Sequence, residues 1–178
     1  ANDAQEYHAQ QIRLFREENV DLVTAYTLNN ATEAIGITRA AQAENIPIVI
    51  SFTLETDGRL PSDQSLADAI EEVDVATGQG PAYFMINCAH PSHFIETLRS
   101  NHRSFTRIRG IRANASCKSH AELDEATELD SGNPHDLGQC YLDLQQVLPQ
   151  LSVIGGCCGT DHRHVEAMGK ALLTEPLH

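Results

Sequence analysis

The feature that most constrains this chain is an alternation repeated five times: a short apolar run rich in β-branched residues, then a longer segment with helical period. The runs span 20–28, 46–54, 82–89 and 107–116, and a fifth, LSVIGG, ends at Gly156. A first helix is predicted over 3–18, with Tyr7, Ile12 and Phe15 along its buried stripe. Asn30, with Glu33 three residues on, marks a helix start after the first run. Further helices are predicted over 66–77, across HPSHFIETLRSN, from about 137 to about 148 after a long acidic loop, and across DHRHVEAMGKALL. Strands that recur with a helix between them need crossover connections, which gives a parallel sheet with right-handed α(βα)₅ order.

At 178 residues the chain suits one domain, 1–178, with no linker or low-complexity segment. Five units fit a doubly wound sheet. They equally fit the last five units of a parallel (β/α)₈ TIM-type barrel, a fold that takes about 250 residues in full. The chain opens Ala-Asn-Asp without an initiator Met, and an upstream segment is expected. Both architectures place function at the C-terminal ends of the strands.

The net charge of −13 excludes a binder that tracks nucleic-acid phosphates, since such a protein needs a basic face. No apolar run approaches the ~20 residues that span a bilayer. With no signal peptide in view, a cytoplasmic protein is expected. In that setting five cysteines, an odd number, point to reduced thiols, metal or catalysis rather than a disulfide framework.

Three of those cysteines fall at predicted strand ends: Cys88, Cys157 and Cys158. Adjacent cysteines are poorly placed to bridge each other. If the rim is curved, the three converge, and three thiolates with one vacant position make an open zinc site. Zn²⁺ with three thiolates carries net charge −1 and is a poor Lewis acid. It still binds an incoming thiol and lowers its pKa, so alkyl transfer to a thiol is the natural reaction. Two other readings of GGCCGT stand beside this one: small residues packing at a tight corner, and a glycine-rich phosphate cradle at a helix N-terminus.

Other residues carry weaker signals. Cys117 and Cys140 read as ordinary loop and helix residues, and His162 and His164 as solvent or capping residues on different faces. His90 or His93 could hydrogen-bond the site. The acidic run 122–130 reads as a solvated face. Arg107, Arg109 and Arg112 alternate along one strand, which sends them to one face; Arg112, near the rim, could bind a carboxylate. Asn87 either orients a ligand or satisfies backbone groups at the strand end.

The motifs NCAHP, SFTLETDGRLPSDQSL and GGCCGT, in this order and spacing, resemble the homocysteine S-methyltransferase family. The resemblance covers essentially the whole chain but only about the last five of eight barrel units. It implies a zinc-dependent enzyme that moves a methyl group from an activated sulfonium, ammonium or similar donor to the thiol of homocysteine or a related thiol, giving methionine. The implied zinc ligands are Cys88, Cys157 and Cys158. Most members end the fourth barrel strand with a Glu before Thr or Tyr, where this chain has Tyr26-Thr27. The seventh-strand motif, usually close to Tyr-Pro-Asn-Ala-Gly, is RANAS here and keeps Asn114 and Ala115. Glu55 and Asp57 are candidates for gripping a substrate ammonium, and Tyr26, Asn87 and Asn114 for shaping the pocket. The expected partners are a small-molecule thiol and a methyl donor, with no nucleic acid or membrane. A homo-oligomer or an N-terminal segment would complete the barrel. The alternatives are a phosphate- or nucleotide-binding α/β module and a non-catalytic, zinc-binding member of the family.

Overall fold

The structure, a computed structural model, describes residues 1–173. Its strands are β1 (Val23–Leu28), β2 (Ile48–Phe52), β3 (Tyr83–Asn87), β4 (Ile108–Ala113) and β5 (Val153–Gly156). They form one parallel sheet in the order β1-β2-β3-β4-β5. A doubly wound sheet reverses its strand order at a switch point. This sheet does not, so it is an arc of a TIM-type barrel. Among the described residues, β1 and β5 each pair on one side only.

The helices are α1 (Asn2–Glu17), α2 (Ala31–Ala43), α3 (Leu66–Thr77), α4 (Ile95–Arg99), α5 (His120–Asp124), α6 (Pro134–Val147) and α7 (His162–Leu173). They pack in succession around the outside, α1 on α2, α2 on α3 and α6 on α7. Their starts follow from sequence chemistry. The Asn30 carboxamide oxygen accepts the Glu33 amide at 2.8 Å, and Ser65 accepts the Asp68 amide at 3.1 Å. Asn133 caps α6 ahead of Pro134, which needs no amide partner there.

Every residue of β2 is buried, which explains its near-continuous apolar run, while the edge strands β1 and β5 are largely half-buried or exposed. Ile48, Ile50, Phe52, Phe84, Ile86 and Ile111 join the helix-facing core with Ile70 and Tyr141. Val49, Ser51, Met85 and Asn87, also buried, alternate with these residues and so face the concave side. Gly110 shares that side. A Cβ there would lie 2.6 Å from the Met85 side chain, so the glycine makes room for the methionine.

Four expectations need correction. Tyr7 is 79% exposed: α1 buries Ile12 and half-buries Phe15, but its Tyr7 side faces away from α2. HPSHFIETLRSN is not one helix, because Pro91 and the His90 cap make a 3₁₀ turn, Pro91–His93, that breaks before α4. The acidic loop contains α5, started by a capping box in which Ser119 and Glu122 satisfy each other's backbone amides. The three arginines do not share a face, because Arg112 stands three residues from Arg109 and five from Arg107, odd separations that period two sends to the opposite side. Arg107 precedes β4 and forks onto Asp74 of α3 at 2.9 and 3.0 Å, Arg109 is exposed, and Arg112 lies on the concave side. Among the described residues, no helix is long and apolar enough to cross a membrane.

Candidate metal centre

Cys88 follows β3 directly and sits at φ 60°, a left-handed conformation uncommon outside glycine. Its amide donates to the Arg112 carbonyl at 3.1 Å, which folds the chain end inward. Cys157 follows β5, its amide bonded to the Ala113 carbonyl at 2.7 Å. The preceding Gly156 is forced: a Cβ would lie 2.0 Å from the Thr160 hydroxyl, which donates to the Cys157 carbonyl. The result brings Cys88, Cys157 and Cys158 together with all three sulfurs within 4.8 Å of one another, and the Cys88 and Cys158 sulfurs 3.5 Å apart. All three thiols are free. Three sulfurs each ~2.3 Å from a tetrahedral zinc lie about 3.8 Å apart, so the donor set and its spacing fit the metal.

The thiols share charge unequally. A hydrogen bond from Cys88 lowers the Cys157 pKa to about 5 against opposing burial, aided by the Cys158 backbone and side chain and by Arg112. The same contact with Cys157, then burial and Cys158, pushes Cys88 far upward. The arrangement therefore favours ionisation of Cys157 ahead of Cys88, which suits a cation.

A second layer of side chains fixes the cluster. The Asn114 amide nitrogen donates to the Cys88 carbonyl at 3.0 Å, while its oxygen accepts the Cys158 amide at 3.1 Å. One side chain thus ties together the two loops that carry the sulfurs. The Cys88 carbonyl also accepts from His120 Nε2 at 2.6 Å, and His120 Nδ1 faces Glu55 at 3.3 Å. Burial opposes charge on His120, but the Cys88 carbonyl and Glu55 outweigh it, and the net shift is upward.

A cavity of about 490 Å³ opens over the cluster, lined by Thr27, Glu55, Cys88, Asn114, His120 and Cys158. Asp124, Glu128 and Asp130 complete one wall, so the acidic segment is part of the site rather than a purely solvated face. Of the other residues singled out by sequence, Asn87 lies just beneath the rim. Its oxygen accepts the Thr27 amide and the Ser51 hydroxyl, and its nitrogen donates to the Thr27 hydroxyl. Tyr26 lines a different cavity, of about 500 Å³, along the free edge of β1. The Arg112 guanidinium lies 5.2 Å over its ring. Asp57 is outside both cavities, its carboxylate turned onto the Arg59 amide at 3.0 Å. His120 escaped sequence reading because it sits in a polar stretch, although the Ser-x-x-Glu pattern around it announces α5.

Three of the four amides that follow the second glycine of GGCCGT, and that of Asp161 just after it, are already spent inside the fold. The N–H groups of Cys157, Cys158, Thr160 and Asp161 donate to Ala113, Asn114, Cys157 and His164 respectively. His164 is fully buried as a cap, with Nε2 on the Ser131 carbonyl at 2.8 Å. His90 caps its 3₁₀ turn, and burial, with His93 nearby, lowers its pKa to about 4. His93 bonds the carbonyl of the exposed Cys117, and Cys140 sits half-buried on α6.

The sequence profile described as homocysteine S-methyltransferase matches residues 1–172. Among solved structures, the metallated form of the homocysteine methyltransferase MmuM from Escherichia coli is similar at TM-score 0.69 and 18% identity, over 93% of this chain and 50% of that one. At that identity the likeness is one of fold, and this chain spans about half the length of its neighbour. No curated protein matches the sequence.

Proposed function

From the premise that this chain belongs to the homocysteine S-methyltransferase family, we propose that it moves a methyl group from an activated donor to the thiol of homocysteine or a related thiol, giving methionine or its analogue. Cys88, Cys157 and Cys158 would hold Zn²⁺ with one position left for the acceptor. Bound there, the metal lowers the acceptor thiol's pKa and keeps its sulfur nucleophilic at neutral pH. The convergence of three free thiols within 4.8 Å from the ends of two strands is the observation that carries this reading.

The protein's own groups then have definite tasks. Asn114 and His120 hold the Cys88 loop through its carbonyl, which keeps the donor sulfurs in place. Glu55, Asp124, Glu128 and Asp130 make the cavity wall negative, which favours a cationic sulfonium or ammonium donor. As the acceptor sulfur forms its bond to the methyl carbon, the donor's bond to that carbon breaks and the donor leaves uncharged. No side chain need take a proton in that step, since the acceptor reacts as thiolate. Free thiols suit a reducing compartment such as the cytoplasm. Among the described residues β1 and β5 each pair on one side only, and those edges are where further strands, from a longer chain or a second copy, would close the barrel.

The test is metal content after dialysis against a mild chelator, with methyl transfer to homocysteine assayed on the same sample. One zinc per chain, lost in Cys157→Ser along with the methylated product, is expected. Full activity in a metal-free sample would overturn the reading.

A further inference from the structure

The acidic segment that walls the cavity is a loop with a fixed neck. At its base the Ser116 hydroxyl donates to one Asp130 oxygen at 2.8 Å, the Gly132 amide donates to the other at 3.0 Å, and Lys118 pairs with Asp130 at 3.4 Å. The neck is packed as well as bonded. Gly132 sits at φ 52°, where a Cβ would meet the Ala115 carbonyl at 2.2 Å, and a Cβ on Gly159 would meet the Asp130 carbonyl at 2.5 Å. The Ser131 carbonyl is held by the buried His164. Residues 119–129 therefore leave the body and return to an adjoining point, the form of an Ω-loop.

Beyond the neck the loop is lightly held. Its helix α5 buries no residue, and Leu129 is 80% exposed although it lines the cavity. Ser119 and Glu122 bond each other, and the amides of Leu123, Glu125 and Ala126 bond carbonyls within the loop. Among the described residues, His120 alone ties 119–129 to the rest of the fold by hydrogen bonds, at the Cys88 carbonyl at 2.6 Å and at Glu55 at 3.3 Å.

That tie lands on a residue of the candidate metal centre. Cys88 has its sulfur in the cluster and its carbonyl under His120, and a single backbone conformation, at φ 60°, aims both groups. Residues with a side chain seldom adopt it unaided. A metal on the sulfur favours this conformation, and so does His120 on the carbonyl. Two groups that favour the same conformation strengthen each other's binding.

We propose that 119–129 is a lid over the candidate metal centre, latched by His120 on the Cys88 carbonyl, and that it stays shut when a metal is bound at Cys88. This rests on the metal-centre reading and adds a movement to it. Shut, the lid sets Leu123, Asp124 and Glu128 in the cavity wall and retards escape of the metal. Released at the latch, it swings on its neck and exposes the sulfurs. His120 is a positioning residue that acts through the Cys88 backbone.

The experiment is limited proteolysis of the intact chain with a glutamate-specific protease, with and without saturating Zn²⁺, the cuts located by mass. Glu122, Glu125 and Glu128 lie in the lid, and Glu17 and Glu18, exposed at the end of α1, report on the rest of the fold. In wild type, zinc should slow cleavage in the lid about tenfold and leave cleavage at Glu17 and Glu18 unchanged. In His120→Ala saturating zinc should no longer slow it, and His120→Gln, which keeps an N–H donor, should recover part of the effect. Competition with a chelator should show zinc held more weakly in His120→Ala, by up to the same factor, since a coupling between two sites is reciprocal. Zinc that binds wild type without slowing cleavage in the lid overturns the proposal, and so does zinc that slows every site alike. A zinc effect kept in full by His120→Ala also overturns it, and in all three cases the metal centre still stands. The wild-type comparison decides without the variants if they do not fold. No zinc bound by freshly reduced wild type overturns the metal-centre reading itself, and the lid with it.

Discussion

Asn87 grips Thr27 at both ends of its carboxamide, accepting the Thr27 amide at 2.9 Å and donating to the Thr27 hydroxyl at 2.8 Å, across the intervening strand β2. Thr27 sits at φ 60°, which is costly for a β-branched residue, roughly 1–3 kcal/mol. The clamp holds it there and breaks the β1–β2 register between Ala25 and Leu28. The residue before Cys88 thus fixes the shape of the rim as well as ending its own strand.

That relationship predicts a coupled pair of substitutions. Asn87→Ala leaves the buried Ser51 hydroxyl and the Thr27 amide without their acceptor and should cost roughly 2–3 kcal/mol. Thr27→Gly in the wild-type background loses the hydroxyl bond and should also destabilise. In the Asn87→Ala background it has no such bond to lose and only relieves the strained φ, so it should be neutral or stabilising. Urea denaturation of the four proteins checks this: a coupling of about 1–2 kcal/mol is expected, and additive effects would mean the clamp does not hold the turn.

Asn114 joins the Cys88 and Cys158 loops by single bonds of 3.0 and 3.1 Å. Asn114→Ala should leave the three thiols in place but weaken metal binding by about 10–100-fold, the usual effect of losing a group that orients ligands. Asn114→Asp keeps the acceptor for the Cys158 amide and loses the donor to Cys88, so it should fall between. Competition with a chromophoric chelator gives the numbers. Wild-type affinity in Asn114→Ala would show that the loops hold themselves.

The strand ends were legible in the sequence because buried parallel strands read as apolar runs, and Ile48–Phe52 lies wholly within the stretch predicted from 46 to 54. The three cysteines were legible because each stands where such a run stops. What stayed hidden depends on contacts between distant segments. His120 reaches the Cys88 carbonyl from a polar stretch 32 positions away, and no local pattern signals that. Asp57 carries a carboxylate in the same neighbourhood as Glu55, yet a two-residue turn onto Arg59 takes it out of the site. Arg112 was legible by counting: its odd spacing from Arg107 and Arg109 already puts it on the opposite face of the strand.

Metal affinity should depend on pH in a direction set by Cys88. Its pKa lies above the ordinary thiol value because Cys157 and burial disfavour a second thiolate. At neutral pH a metal must therefore displace the Cys88 proton, while Cys157, lowered to about 5, is already ionised. Binding should strengthen as pH rises, by about tenfold per unit for each proton displaced. Titration calorimetry in two buffers of different ionisation heat measures that release directly. Zero proton release at neutral pH would mean the cluster is fully ionised before the metal arrives.

Tyr141 allows stability and metal binding to be separated. Buried on α6, its hydroxyl accepts the Ala113 amide at 3.1 Å and donates to the Gly155 carbonyl at 2.6 Å, which pins β5 against β4 just ahead of the cysteine pair. Tyr141→Phe preserves the ring's packing but strands both backbone groups, at roughly 2–3 kcal/mol. For a domain of this size that lowers the melting temperature by roughly 4–12 °C. Because the Cys157 amide still bonds the Ala113 carbonyl, the loop keeps its own anchor. The variant should therefore melt earlier yet bind metal within a few-fold of wild type, and saturating zinc should raise both melting temperatures by the same increment. A large loss of metal affinity would place the register of β5, rather than the loop's own hydrogen bonds, in control of the sulfur geometry.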